Sequence, residues 1–143
     1  MSEFQAKMDG MLYSLLSWEQ LTAFWQRLDT EAGWYVYAVG QETPQQPSDA
    51  KQVTDFISRI DTLLHAEHQE RYCGIVYADD VQTPNFVVIY DPSNLGVSCG
   101  SSKHRVMPGW VMSRMRPDTL NTHVVPNNRK RWWNEFLNAS SNV

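Results

Sequence analysis

The residues best suited to chemistry lie in one short stretch, CGSSKHR, at positions 99–105. Its cysteine stands six positions before its arginine, with glycine and serine between them. Backbone N–H groups of such a loop can point inward and bind phosphate oxygens, and an arginine can hold two of those oxygens at once. A cysteine kept as thiolate in that positive field can attack phosphorus. The spacing allows an anion-binding loop in which Cys99 and Arg105 would be the catalytic residues. The simpler interpretation, which we favour, is that Cys99 ends a strand as a small apolar residue and the rest is a surface loop.

Over these seven residues the chain resembles the active-site loop of cysteine-dependent phosphatases and of related arsenate reductases. The resemblance implies a phosphatase-like enzyme, and Asp91, at a predicted strand end, would be its general acid. The family's loop leads into a helix and usually has Ser or Thr after the arginine, whereas here Val106 follows and the sequence VMPG cannot propagate a helix. Catalysis is therefore kept as the alternative, together with simple anion binding by Ser101, Ser102, Lys103, His104 and Arg105.

The C-terminal third offers a second candidate surface. The sequence VMPGWVMSRM at 106–115 carries three of the six methionines, and RKRWW at 129–133 places cations beside aromatic residues. Methionine and tryptophan suit surfaces that bind partners, and they also suit a core. Three cations in the first turn of a helix oppose its dipole unless an acidic surface or a polyanion lies nearby. The predicted partner-binding residues are Trp110, Met112, Met115, Arg129, Lys130 and Arg131.

Charge is divided unevenly along the chain. Residues 1–99 carry five Lys/Arg against fourteen Asp/Glu, a net −9, and residues 100–143 carry seven against two, a net +5. The two parts either attract each other within the fold, or the basic part meets an anionic partner. A net charge of −4 and a pI near 5.5 disfavour a dedicated nucleic-acid binder.

Metal and cofactor sites are not expected. His65 and His68 lie one turn apart in a predicted helix, with Cys73 soon after, but the helical wheel turns His65 toward solvent and no fourth ligand is visible. Asp79 and Asp80 would point to opposite faces of a strand and fit a hairpin turn better than a paired acid site.

The 143 residues fit one globular domain, 1–143, with one core. Two cysteines are too few for a disulfide framework, and the N-terminus has no basic region followed by an apolar run. No apolar stretch approaches the length that spans a bilayer. We therefore expect a cytoplasmic protein without membrane segments.

The elements that must position these residues follow the order α-β-α-β-β-β-(β)-α. A capping box at Ser17 and Gln20 begins one helix, and apolar residues at helical spacing between 53 and 64 predict a second. The final helix is expected to be capped by Asn127 or Asn128. The segment MLYSLL at 11–16, just before Ser17, would extend the helix that begins there or form a separate turn. Strands are predicted at 34–39, 72–78, 85–90, 95–99 and 109–115.

This order predicts an α+β fold with a single, mainly antiparallel sheet of four to five strands and helices packed on one face. The strands at 34–39 and 72–78, joined through the long helix, would be parallel neighbours. Without a complete catalytic constellation, we expect a small non-enzymatic accessory protein. It would bind a protein partner through its Met/Trp-rich and basic C-terminal third.

Overall fold

A five-stranded antiparallel sheet forms the centre of the protein in the computed structural model, which describes residues 2–95, 107–120 and 125–141. The strands lie in the order β1-β3-β4-β5-β2, and all neighbouring pairs are antiparallel. In chain order the elements are α1 (Glu3–Asp9), β1 (Tyr13–Ser14), α2 (Trp18–Arg27), β2 (Tyr35–Ala38), α3 (Ala50–Glu67), β3 (Val76–Ala78), β4 (Phe86–Ile89), a 3₁₀ turn (Pro92–Asn94), β5 (Trp110–Ser113) and α4 (Asn127–Ser141). The predicted α+β class with one antiparallel sheet is confirmed.

Both faces of the sheet are covered because two of its three interior strands, β4 and β5, are apolar on both sides. Successive side chains of a strand point to opposite faces. One face packs against α2, α3 and α4, and the opposite face packs against α1. The first face carries Val87, Ile89, Trp110 and Met112, and the second carries Phe86, Val88 and Val111. The short helix α1 was not predicted from the sequence.

Local signals begin the two helices that flank β2. Ser17 accepts the N–H of Gln20, while the Gln20 side chain accepts the N–H of Ser17. Asp49 and Gln52 form the same reciprocal pair at the start of α3. The apolar stripe of α3 is buried, as its spacing predicts: Val53, Phe56, Ile60, Leu63 and Leu64.

Three details differ from the expectations. The parallel pairing of 34–39 with 72–78 is wrong, because the doubly apolar β4 and β5 take the centre of the sheet and separate β2 from β3. The stretch 11–16 contains the strand β1 rather than a helical extension or a turn. Helix α4 begins at Asn127, so Asn127 and Asn128 belong to its first turn and do not cap it.

The strand predicted at 95–99 lies outside the described residues, apart from Leu95. Leu95 itself follows the 3₁₀ turn and is not in a strand.

Candidate functional site

The predicted phosphate loop at 99–105 lies outside the described residues. The catalytic role of Cys99 therefore stays a prediction. The same holds for anion binding by Ser101, Ser102, Lys103, His104 and Arg105. The described residues nevertheless bring together three of the other candidates, namely Asp91, Trp110 and Arg129.

Arg129 joins two carboxylates from different parts of the chain. Its Nε and Nη2 atoms donate to the two oxygens of Asp91 at 2.7 and 2.9 Å. Its Nη1 and Nη2 atoms donate to the two oxygens of Glu67 at 3.0 and 2.6 Å. The guanidinium also lies 5.9 Å from the ring centre of Trp110, within cation–π distance. The side chain thus ties α4 to α3 and to the turn after β4.

This ion network fixes the ionisation of Asp91. Burial opposes ionisation and is the largest single influence, but hydrogen bonds from Arg129 and Ser93 together outweigh it and lower the pKa of Asp91. Burial also disfavours the Arg129 cation, and its bonds to Asp91 and Glu67 overcome that and raise its pKa. Asp91 is therefore ionised at neutral pH, with both oxygens holding donors. That state does not suit a general acid, and the role of Asp91 in the phosphatase-like alternative stays a prediction.

A cavity of about 270 Å³ adjoins this network. Its polar lining includes Gln41, Ser93 and the Asp91–Arg129 pair, and its apolar lining includes Trp133. The remaining lining residues are Ala38, Val39, Asn94, Pro108, Gly109, Trp110, Val125 and Pro126. Space and hydrogen-bonding groups therefore meet at one end of the sheet.

The structure places the other predicted partner-binding residues in different environments. Trp110 and Met112 are buried in the sheet face that packs on the helices, and Arg129 is buried in its ion network. These three side chains do not form a docking surface. Lys130 and Arg131 are exposed on α4, and Met115 is partly exposed after β5.

An exposed apolar surface lies at a different place, along the outer edge of β1. Four large side chains are mostly open to solvent there, with exposed fractions of 75% for Met11, 51% for Tyr13, 61% for Leu16 and 69% for Tyr72. The N–H of Cys73 donates to the carbonyl of Leu16 at 2.9 Å, which brings Tyr72 beside Leu16. We call these four residues the edge surface.

The backbone of β1 is open at the same edge. Tyr13 pairs with Ala78, and Leu15 donates its N–H to Val76 at 2.8 Å. Because bonded and non-bonded pairs alternate in an antiparallel ladder, the N–H and C=O of Ser14 face away from β3. The Ser14 hydroxyl is also buried, and no described residue hydrogen-bonds to it.

A groove of about 520 Å³ continues the edge surface toward α1. Met11, Tyr13 and the predicted partner-binding residue Met115 line it, together with the ion pair of Lys7 and Asp79 at 2.8 Å. Sequence reasoning missed this surface because MLYSLL was interpreted as helix or turn. The sequence signal that could have found it is the alternation of Met11 and Tyr13, which lie two positions apart as residues on one side of a strand do.

The remaining candidates have structural partners. His65 stacks on Trp18 with ring centres 4.2 Å apart, and Nε2 of His68 lies 2.9 Å from the carbonyl of Cys73. Burial raises the pKa of the Cys73 thiol. Asp79 accepts the N–H groups of Asn85 and Phe86 across the hairpin.

Across 2–95, 107–120 and 125–141, no three side chains gather in a way that would hold a metal ion. None of the helices in these ranges is long and apolar enough to cross a bilayer.

Comparison with protein-family models, with curated proteins and with solved structures finds no match for this chain. Proposals about its function therefore depend on its own residues and their geometry.

Proposed function

We propose that this chain is a non-enzymatic interaction protein that binds an extended, apolar and basic segment of a protein partner along β1. The observation that carries the proposal is the coincidence of four exposed apolar side chains with an open strand edge. Large apolar side chains that are exposed together at a strand edge mark interaction sites more often than single scattered ones do. The phosphatase-like alternative keeps its sequence resemblance as its sole support.

Strand addition suits the geometry of the edge. An added peptide would pair with the outward N–H and C=O of Ser14, and its side chains would meet Tyr13 on one face and Leu16 on the other. The stretch from Met11 to Leu16 is about 17 Å long at the usual rise of a strand, which a segment of about six residues would match. The N–H of Leu16 already donates to the Gln20 side chain at 3.0 Å, so the added ladder would centre on Ser14.

Charge favours a basic partner segment. Acidic residues stand within three positions of the edge surface along the chain, namely Asp9, Glu19 and Glu70. The basic residues near the edge surface along the chain are Arg71 and Lys7, and the charge of Lys7 is already paired with Asp79. A second copy would bring the same acidic residues together, which costs free energy, whereas a Lys/Arg-containing segment would be attracted.

The test uses three synthetic peptides, KVKVKV, EVEVEV and KVKPKV, titrated into the ¹⁵N-labelled full chain. We expect KVKVKV to bind saturably and to shift the amide signals of Ser14 and its neighbours. The acidic peptide and the proline peptide should bind at least tenfold more weakly, because one repels the edge and the other cannot complete the ladder. Equal binding of KVKVKV and KVKPKV would contradict strand addition.

A matched pair of variants tests the side chains. Leu16→Asp should weaken KVKVKV binding by about tenfold. The bound peptide would cover the exposed part of the Leu16 side chain, and the variant loses this apolar contact. Leu137→Asp, at an exposed leucine of α4, should leave binding unchanged. Light scattering should show a monomer. A dimer that Leu16→Asp dissociates would assign the edge to a second copy instead and overturn the proposal.

A further inference from the structure

We infer that the cavity beside Asp91 and Arg129 is a binding site for a small, uncharged, largely apolar molecule that carries a carbonyl-type acceptor. This site shares no residue with the edge surface and does not depend on the function proposed above. The size of the cavity, its already paired charges and one polar atom without a partner among the described residues favour such a ligand.

Local structure holds the polar atom in place. After β2 the chain turns at Gly40, whose φ of 92° favours glycine, and the N–H of Gln41 closes the turn on the carbonyl of Ala38 at 3.0 Å. Gln41 lines the cavity and also a neighbouring cleft. Among the described residues, no group accepts a hydrogen bond from its buried amide nitrogen. A buried donor without a partner is costly, so a ligand that supplies an acceptor is favoured there.

The described lining disfavours a charged ligand. Asp91 and Arg129 are its two ionisable groups, and both are already engaged, since Arg129 donates to both oxygens of Asp91 and also to Glu67. A ligand carboxylate or ammonium would therefore lose its water without gaining an unpaired counter-charge. Ser93 is also engaged, since both its hydroxyl and its N–H donate to Asp91.

Size and shape limit the ligand further. The volume of about 270 Å³ lies just below the range of about 300–1,000 Å³ that holds drug-sized molecules, which fits one or two rings. Trp133 and Arg129 are four residues apart, so they lie on the same face of α4 and form one wall. Ala38, Val39 and Gln41 of the turn after β2 also line the cavity, so we expect the Gln41 amide to meet a substituent of a bound ring.

The test compares three bicyclic probes that differ in polarity, namely oxindole, indole and indole-3-carboxylate. Oxindole has a carbonyl that indole lacks, and the third probe carries a negative charge. We expect oxindole to bind saturably and to shift the side-chain amide signals of Gln41 and the indole N–H signal of Trp133. Indole and the carboxylate should bind at least fivefold more weakly. This comparison uses the unaltered protein and does not depend on any variant folding.

Two variants then test whether Gln41 causes the preference for oxindole over indole. Gln41→Leu removes the amide at similar volume, and it should abolish the preference for oxindole over indole. Gln46→Leu changes an exposed glutamine of the same loop and should keep that preference. Thermal unfolding of both variants would verify that they fold. The proposal would be overturned by no saturable binding of oxindole, by equal binding of oxindole and indole to the unaltered protein, or by tighter binding of the carboxylate.

Discussion

Replacing Arg129 by methionine should destabilise the protein more than any other single change in the ion network. Glu67 has a side chain that is 41% exposed, so its carboxylate regains water when the arginine is lost. The side chain of Asp91 is 11% exposed and cannot do the same. Removing one partner of a buried ion pair costs about 3–5 kcal/mol. At about 3 °C per kcal/mol for a chain of this size, the midpoint of thermal unfolding should fall by about 10–15 °C at pH 7.

The effect should depend on pH in a defined direction. In the unaltered protein the pKa of Asp91 is lowered, so this carboxylate contributes stability above its unfolded pKa of about 3.9, and that contribution is lost as pH falls through the lower folded value. In Arg129→Met the lowering by the arginine is lost while burial still opposes ionisation, so we expect the pKa of Asp91 to lie above its value in the unaltered protein. As pH falls, protonation then relieves the uncompensated buried charge of the variant before it affects the unaltered protein. The difference in free energy of unfolding between the two proteins should shrink between pH 7 and pH 4.

The assay is urea unfolding followed by tryptophan fluorescence at several pH values. Lys130→Met, at the exposed neighbouring cation, is the control and should change stability by less than about 0.5 kcal/mol. Adding Asp91→Asn to Arg129→Met removes the uncompensated charge and should restore part of the lost stability, which is the coupling that a double-mutant cycle measures. A loss below about 1 kcal/mol for Arg129→Met at pH 7 would refute the reasoning, because it would mean that the network contributes little.

Two further predictions follow from local contacts. Ser17→Ala removes the hydroxyl that accepts the N–H of Gln20 at 3.0 Å, so it should cost about 1 kcal/mol in urea unfolding, and Ser17→Asp should keep the stability of the unaltered protein. In a Cys99→Ser protein, Cys73 should react with iodoacetamide at least a hundredfold more slowly when folded than in denaturant, because its thiol is buried and its pKa is raised. Rapid alkylation of the folded protein at pH 8 would contradict this placement of Cys73.

Much of the fold was predictable because its signals are local. The capping box at Ser17 and the apolar spacing from Val53 to Leu64 specify α2 and α3 within a few turns of chain. The runs at 85–90 and 109–115 contain the observed strands β4 and β5. The strand β1 was missed because two residues carry too little periodicity to tell a strand from a turn.

The candidate site was predictable in part. Asp91, Trp110 and Arg129 were each singled out from the sequence, but for separate reasons, and their convergence was not foreseen. The uneven charge left two interpretations open, and for Arg129 the structure shows the intramolecular one, with Glu67 and Asp91 as its partners. Gln41 gave no sequence signal, because its importance comes from the space beside it and from the lack of a partner for its amide.

The sequence by itself determined the α+β class, the start of α2, the buried face of α3 and the positions of β4 and β5, because each depends on residues close together in the chain. Only the tertiary structure decided that Trp110 and Met112 are buried and that Met11, Tyr13 and Leu16 are exposed at an edge. Those outcomes depend on pairings between distant residues, such as β1 with β3 and Asp91 with Arg129. Apolar residues suit a core and an interface equally, so their composition cannot separate the two until the neighbouring strands are in place.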